Sequence, residues 1–114
     1  LLKKHLIRLA DQRQVNLILT TGGTGFSERD CTPEATLAVA TRNAPGIAEA
    51  IRVGSLQITR RAMLSREASV IRNKTLIVNL PGSPKAVREC LSLVLDQLEH
   101  GIRILTGRDG ECAR

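Results

Sequence analysis

An α/β domain, three-layered with a mainly parallel sheet flanked by helices, is predicted by three observations. Helix-like and strand-like segments alternate along the chain. The two clearest strand segments are short and almost wholly apolar, as strands covered on both faces are. Each then stops at a glycine-containing turn, the place where open α/β sheets hold their ligands.

Leu2, Leu6, Leu9 and Ala10 recur at helical spacing among Lys3, Lys4, His5 and Arg8, which predicts an amphipathic helix ending near Asp11. Residues 15–20 form the first apolar strand, closed by Thr20-Thr21-Gly22-Gly23-Thr24-Gly25. Thr32-Pro33-Glu34 then starts a helix: Thr32 as cap, Pro33 at the first helical position, Glu34 in the first turn. That helix should cover residues 33–42. A further helix comes after Pro45-Gly46, with Ile47, Ala50, Ile51 and Val53 on its inner side. Residues 60–73 are ambiguous, with a short strand at 68–71 as one reading. Residues 75–80 read clearly as a strand, stopped by Pro81-Gly82-Ser83-Pro84. The last helix carries Ala86, Val87, Cys90, Leu91, Val94, Leu95 and Leu98 on one face, with Gly101 placed for a left-handed C-cap. Residues 108–114 read as a frayed tail.

A chain of 114 residues supports one compact domain. Hydrophobic residues make up 42% of it, and Phe26 is the only aromatic, so the core is aliphatic. Without stacking platforms, single-stranded nucleic acid is a poor partner. Much of the net charge of +6 lies between Arg60 and Lys74. It reads either as a solvated basic surface or as a field drawing phosphorylated ligands. Cys31, Cys90 and Cys112 lie far apart in no zinc spacing, which suits a reducing, cytoplasmic setting better than a disulfide scaffold. No apolar run approaches the length of a membrane span.

The first turn places three glycines after a strand, where backbone N–H groups approach an anion closely. It is neither a P-loop, lacking the lysine, nor G-x-G-x-x-G. Its continuation is more specific. The stretch T-T-G-G-T-G-x-x-x-R-D-x-T-P-E-A-T, from Thr20 to Thr36, resembles the signature of the molybdopterin adenylyltransferases. That family includes bacterial enzymes, the G domain of the plant homologue and the G domain of gephyrin. The resemblance continues through Ala44-Pro45-Gly46, Gly54-Ser55-Leu56, Ala62-Met63-Leu64-Ser65-Arg66 and residues 79–87. It spans about Leu1 to Leu105. Molybdenum-insertion enzymes resemble this chain in the two turns but lack the R-D-x-T-P-E-A-T continuation.

The resemblance implies a molybdopterin-binding-domain fold and a reaction joining molybdopterin to the α-phosphate of ATP. Adenylylated molybdopterin and pyrophosphate are its products, with Mg²⁺ neutralising charge. Carried over residue by residue, Thr20, Thr21, Gly22, Gly23, Thr24 and Gly25 would cradle phosphate or pterin groups, Thr24 by direct contact. Asp30 would be the catalytic carboxylate and metal ligand, against the plainer role of favouring a helix N-terminus. Ser65 would be the other catalytic residue, near the ligand, or be an ordinary turn serine. Pro81, Gly82 and Ser83 would line the nucleotide side, Ser83 also capping the last helix. Cys31 stands where the family usually has a small aliphatic residue. Family members also begin with a strand, a glycine loop and a second acidic residue, so residues 1–114 are expected to be a single domain short of that front end.

The resemblance further implies a homotrimer, with a molybdenum-insertion domain or protein as a possible partner. Two other readings stay open: a non-catalytic molybdopterin-binding or trimerising scaffold, and a domain of a molybdenum-insertion enzyme. Neither nucleic acid nor a membrane is an expected partner.

Overall fold

In the computed structural model, residues 1–108 are described; Cys112 and residues 109–114 of the expected tail lie outside them. Helix α1 (Leu2–Ile7) runs on into a π-helical turn, Arg8–Gln12. Then come β1 (Leu17–Thr21), α2 (Thr32–Ala38), the two-residue β2 (Arg42–Asn43) and α3 (Pro45–Leu56). A 3-10 turn at Arg60–Leu64 leads to β3 (Ser69–Arg72), β4 (Thr75–Leu80) and α4 (Pro84–Leu105).

The strands lie in the order β1-β4-β3-β2. β1 and β4 pair in parallel from Leu17 against Leu76 to Thr21 against Leu80. The expected parallel pairing is this ladder, and the sheet is mixed beyond it. β3 runs antiparallel to both β4 and β2. The reason is local: only Asn73 and Lys74 separate β3 from β4, and a two-residue loop can join only antiparallel neighbours. Asn73 takes a positive φ of 55° there, which asparagine tolerates.

Three layers result. On one face, Leu6 of α1 and Val39 just past α2 pack on Ile18, Val70 and Ile77. On the other, Ile51 of α3 and Cys90, Val94 and Leu98 of α4 pack on Leu76, Val78 and Leu80. β4 is buried along its whole length, as a central strand covered on both sides must be. β1 lies at the sheet's edge, and its apolar Leu19 is partly exposed.

Several element boundaries differ from expectation for tertiary reasons. α2 stops at Ala38, because Thr41 donates both its N–H and its hydroxyl to the Ile71 carbonyl and leads the chain into β2. Thr32 does not cap α2. The cap position is Cys31, without a side-chain bond, and the Thr32 hydroxyl instead packs on Gly23, whose carbonyl accepts the Thr32 N–H. In α3 the inner side holds Ile47, Ala48 and Ile51, while Ala50 and Val53 face outward. Ser69 sets that rotation: its Oγ accepts from the Ala48 N–H at 3.0 Å and donates to the Ala44 carbonyl at 2.6 Å. α4 passes straight through Gly101 and ends at Leu105, with Gly107 taking the positive φ beyond it. Ile102 and Leu105 pack against the core, and that burial outweighs glycine's helix penalty of about 1 kcal/mol. Ser83 caps α4 as expected, accepting from the Ala86 N–H at 3.1 Å.

Candidate active site

The carboxyl ends of β1 and β4 bring the two glycine turns together. The Gly22 N–H donates to the Leu80 carbonyl at 2.9 Å, so this donor is spent on the sheet and any anion must draw on groups from Gly23 onward. A Cβ on Gly82 would meet the Gly22 Cα at 3.6 Å. Both Gly22 and Gly23 hold positive φ, 88° and 72°, a region that favours glycine. A Cβ on Gly23 would in addition collide with the Thr32 hydroxyl at 2.2 Å.

Beside these turns opens a cavity of about 400 Å³. Thr24, Gly25 and Phe26 form one wall, Pro81, Ala86, Glu89 and Cys90 a second. Ser55, Ile58, Thr59, Arg61, Ala62, Leu64, Ser65 and Glu67 complete it. Four expected residues therefore meet here: Thr24, Gly25, Ser65 and Pro81. Gly22, Gly23, Gly82 and Ser83 sit at the strand ends outside the cavity lining. Thr20 lies just behind, its Oγ accepting from Asn79 at 2.9 Å, and Thr21 is exposed. Asp30 is not in the lining. Its Oδ2 accepts the Ser27 N–H at 3.0 Å and lies close against Gly25, so it supports the first turn from behind. A second hollow, of about 430 Å³, lies at the opposite end of the sheet around Asn16, Asn73 and Lys74, away from the strand ends where such folds act.

Three residues to which the sequence assigns no role organise this region. Arg66 is the first. Its Nε donates to the Gly25 carbonyl at 2.8 Å, its Nη2 to the Asp30 carbonyl, and its Nη1 to the Glu34 carboxylate. Its backbone N–H donates to the Thr24 carbonyl at 2.8 Å. One planar guanidinium thus fixes both ends of the loop from Thr24 to Asp30 and ties it to α2. The hydrogen bond from Arg66 holds the Glu34 carboxyl below its usual range. Arg72 acts similarly elsewhere, pairing with Asp11 at 2.7 Å. The basic run is therefore divided: Arg66 and Arg72 are internal fasteners, while Arg60 and Arg61 stay exposed on the 3-10 turn.

Asn79 is the second. Fully buried, it donates from Nδ2 to Thr20 and Thr36, both at 2.9 Å, and accepts the Ala68 N–H at 2.9 Å. It joins β1, α2 and the start of β3 to β4. A polar residue in an otherwise apolar strand was a readable signal, since a buried amide requires partners. Glu67 is the third: only 6% exposed, it lines the cavity. Burial pushes its carboxyl above the usual carboxylate range, against the opposing pull of Ser65 and Arg52. Nothing in its sequence context distinguishes it from a surface glutamate.

A family profile, "Probable molybdopterin binding domain", matches residues 1–100. The chain belongs to the molybdopterin-binding domain family. The molybdopterin adenylyltransferase of Helicobacter pylori is 46% identical over 107 residues, covering 94% of this chain and 61% of the relative. That of Escherichia coli K12 is 47% identical over 106 residues, covering 90% of this chain and 54% of the relative. The chain thus spans between half and two thirds of the length of these relatives. Among solved structures, the molybdopterin biosynthesis enzyme MoaB of Thermus thermophilus superimposes with a TM-score of 0.86 at 50% identity, over 92% of this chain and 66% of that one. Among the described residues, this molybdopterin-binding domain has no helix long and apolar enough to cross a membrane.

Proposed function

We propose that this domain binds ATP and molybdopterin and transfers the adenylyl group to the terminal phosphate of the pterin, releasing pyrophosphate. The observation carrying this reading is the contact between the turns at Gly22 and Gly82 beside a cavity. Two backbone turns at adjacent strand ends suit two phosphorylated ligands brought end to end, which is the main demand of phosphoryl transfer. The similarity to enzymes named molybdopterin adenylyltransferase supports the same reaction.

In this reading Thr20, Thr21, Gly22, Gly23, Thr24 and Gly25 position the pterin phosphate. Pro81, Gly82 and Ser83 flank the nucleotide, and Ser65 contacts ligand from the cavity wall. Among the described residues no group of three carboxylate, histidine or cysteine side chains forms a metal cage. Mg²⁺ suits such a place nonetheless, because it is commonly held by one or two carboxylates, substrate phosphates and water. Asp30 is the residue that would hold it, and the ion would supply charge neutralisation at the phosphates. A homotrimer, association with a molybdenum-insertion domain, and a cytoplasmic setting belong to this proposal through the family resemblance. A trimerising scaffold without turnover is the second reading, kept open by the resemblance to gephyrin; that of Dictyostelium discoideum is 51% identical over 92 residues, covering 81% of this chain and 13% of the relative.

The test is incubation with ATP, Mg²⁺ and molybdopterin, followed by chromatography for the adenylylated pterin. Product formed by the wild-type chain and lost in Asp30→Asn is the expected result. Tight pterin binding without any product would make the scaffold reading correct instead.

A further inference from the structure

Glu67 Oε2 is, among the described residues, the buried side-chain oxygen or nitrogen left without a hydrogen-bond partner. The two nearby guanidiniums are directed elsewhere. Arg52 points its Nε to the Ser65 carbonyl at 3.0 Å and its Nη2 to the Glu67 carbonyl at 2.8 Å. Its hydrogen bonds thus go to the backbone beside Glu67. The Arg66 guanidinium points to Gly25, Asp30 and Glu34. Ser65 Oγ takes the Glu67 backbone N–H at 3.3 Å and its hydroxyl favours the charged carboxyl, yet Oε2 stays without a partner. A carboxyl oxygen buried without a donor is costly to keep folded. Such a group calls for a partner from outside the chain, and this one lines the ligand cavity.

We propose that Glu67 determines pterin specificity, its carboxyl accepting the N–H groups of the pterin's amino–amide edge inside the cavity. The inference rests on the adenylyl-transfer reading of the site and adds to it the group that recognises the ring. Phe26, Ile58, Ala62 and Leu64 supply apolar walls suited to the faces of a flat heterocycle. Recognition must then come at the ring's edge. A pterin presents its exocyclic amino group and the adjacent ring N–H side by side, two donors for a carboxyl to accept. Adenine presents an amino group next to a ring nitrogen lone pair, which the ionised carboxylate repels. A phosphate is repelled as well, so the pterin's phosphate end is directed away from Glu67, toward the glycine turns.

The test compares the full chain with Glu67→Gln, which keeps size and shape. Three quantities are measured: Kd for molybdopterin under anaerobic conditions, Kd for ATP, and the melting temperature without ligand. Expected are a molybdopterin Kd raised roughly tenfold or more, an unchanged ATP Kd, and a melting temperature equal to or above wild type. Unchanged molybdopterin affinity overturns the inference. Weakened ATP binding with pterin binding intact overturns it too, placing Glu67 against the nucleotide. A lower melting temperature with both affinities reduced makes Glu67 a structural residue. If the wild-type chain itself fails to bind molybdopterin, the proposed function falls with it; if only the variant comparison fails, Glu67 alone loses its role.

Discussion

Arg66 shows how much of the site one side chain holds. Lysine keeps the charge but cannot address the Gly25 carbonyl, the Asp30 carbonyl and the Glu34 carboxylate together, because it lacks the planar fork. In Arg66→Lys the loop from Thr24 to Asp30 loosens. The proposed adenylylation should fall by about a hundredfold, the scale of effect expected from misplacing reacting groups; steady-state kinetics check this. Asn79→Ala should cost roughly 3 kcal/mol or more in urea unfolding, since the Ala68 N–H loses its acceptor and the Thr20 and Thr36 hydroxyls lose a donor. Gly23→Ala should cost about 1–3 kcal/mol for the left-handed backbone alone, with the Thr32 contact adding to it. An unchanged unfolding midpoint would contradict that strain.

At the level of elements, α4 is the main lid over one side of the sheet. Leu98 is almost wholly enclosed there against Ile51, Leu76 and Val78. Leu98→Ala should lower unfolding free energy by about 2–5 kcal/mol, read by denaturant titration. α4, β1 and β4 were legible in the sequence because their signals are local: an apolar stripe, apolar runs, glycine and proline turns. β2 was not, since two exposed residues become a strand only by pairing with β3. The extent of α4 past Gly101 and the displacement of Thr32 from the cap were hidden for the same reason. Both depend on neighbours distant in sequence. Of the site, the turns and Ser65 stood out by motif. Arg66 and Glu67 did not, because an ion pair to α2 and an orphaned carboxyl are properties of packing.

For the molecule as a whole, its carboxyls make opposing contributions to stability as pH changes. Asp11 and Glu34 are lowered by their arginine hydrogen bonds from ordinary values of 3.8 and 4.5. The stability they supply is present above those values and is lost as pH falls through the lower folded-state ones. Glu67 is raised from 4.5 by burial, so its contribution is present below 4.5 and is lost as pH rises. The urea midpoint of Glu67→Gln should therefore gain on wild type as pH increases from about 4.5 toward neutrality; a constant difference across that range would refute the assignment. The sheet's topology also has a kinetic side. Among the described residues only the turn at Asn73 and Lys74 joins neighbouring strands locally, whereas β1 meets β4 across 59 positions at Thr20 and Asn79. Closing so long a loop is entropically slow, so the β3–β4 hairpin forms early and β1 docks late. The two glycine turns face each other only after that docking. Ligand affinity thus arrives with the last step of folding, and a partly folded chain has no site to offer.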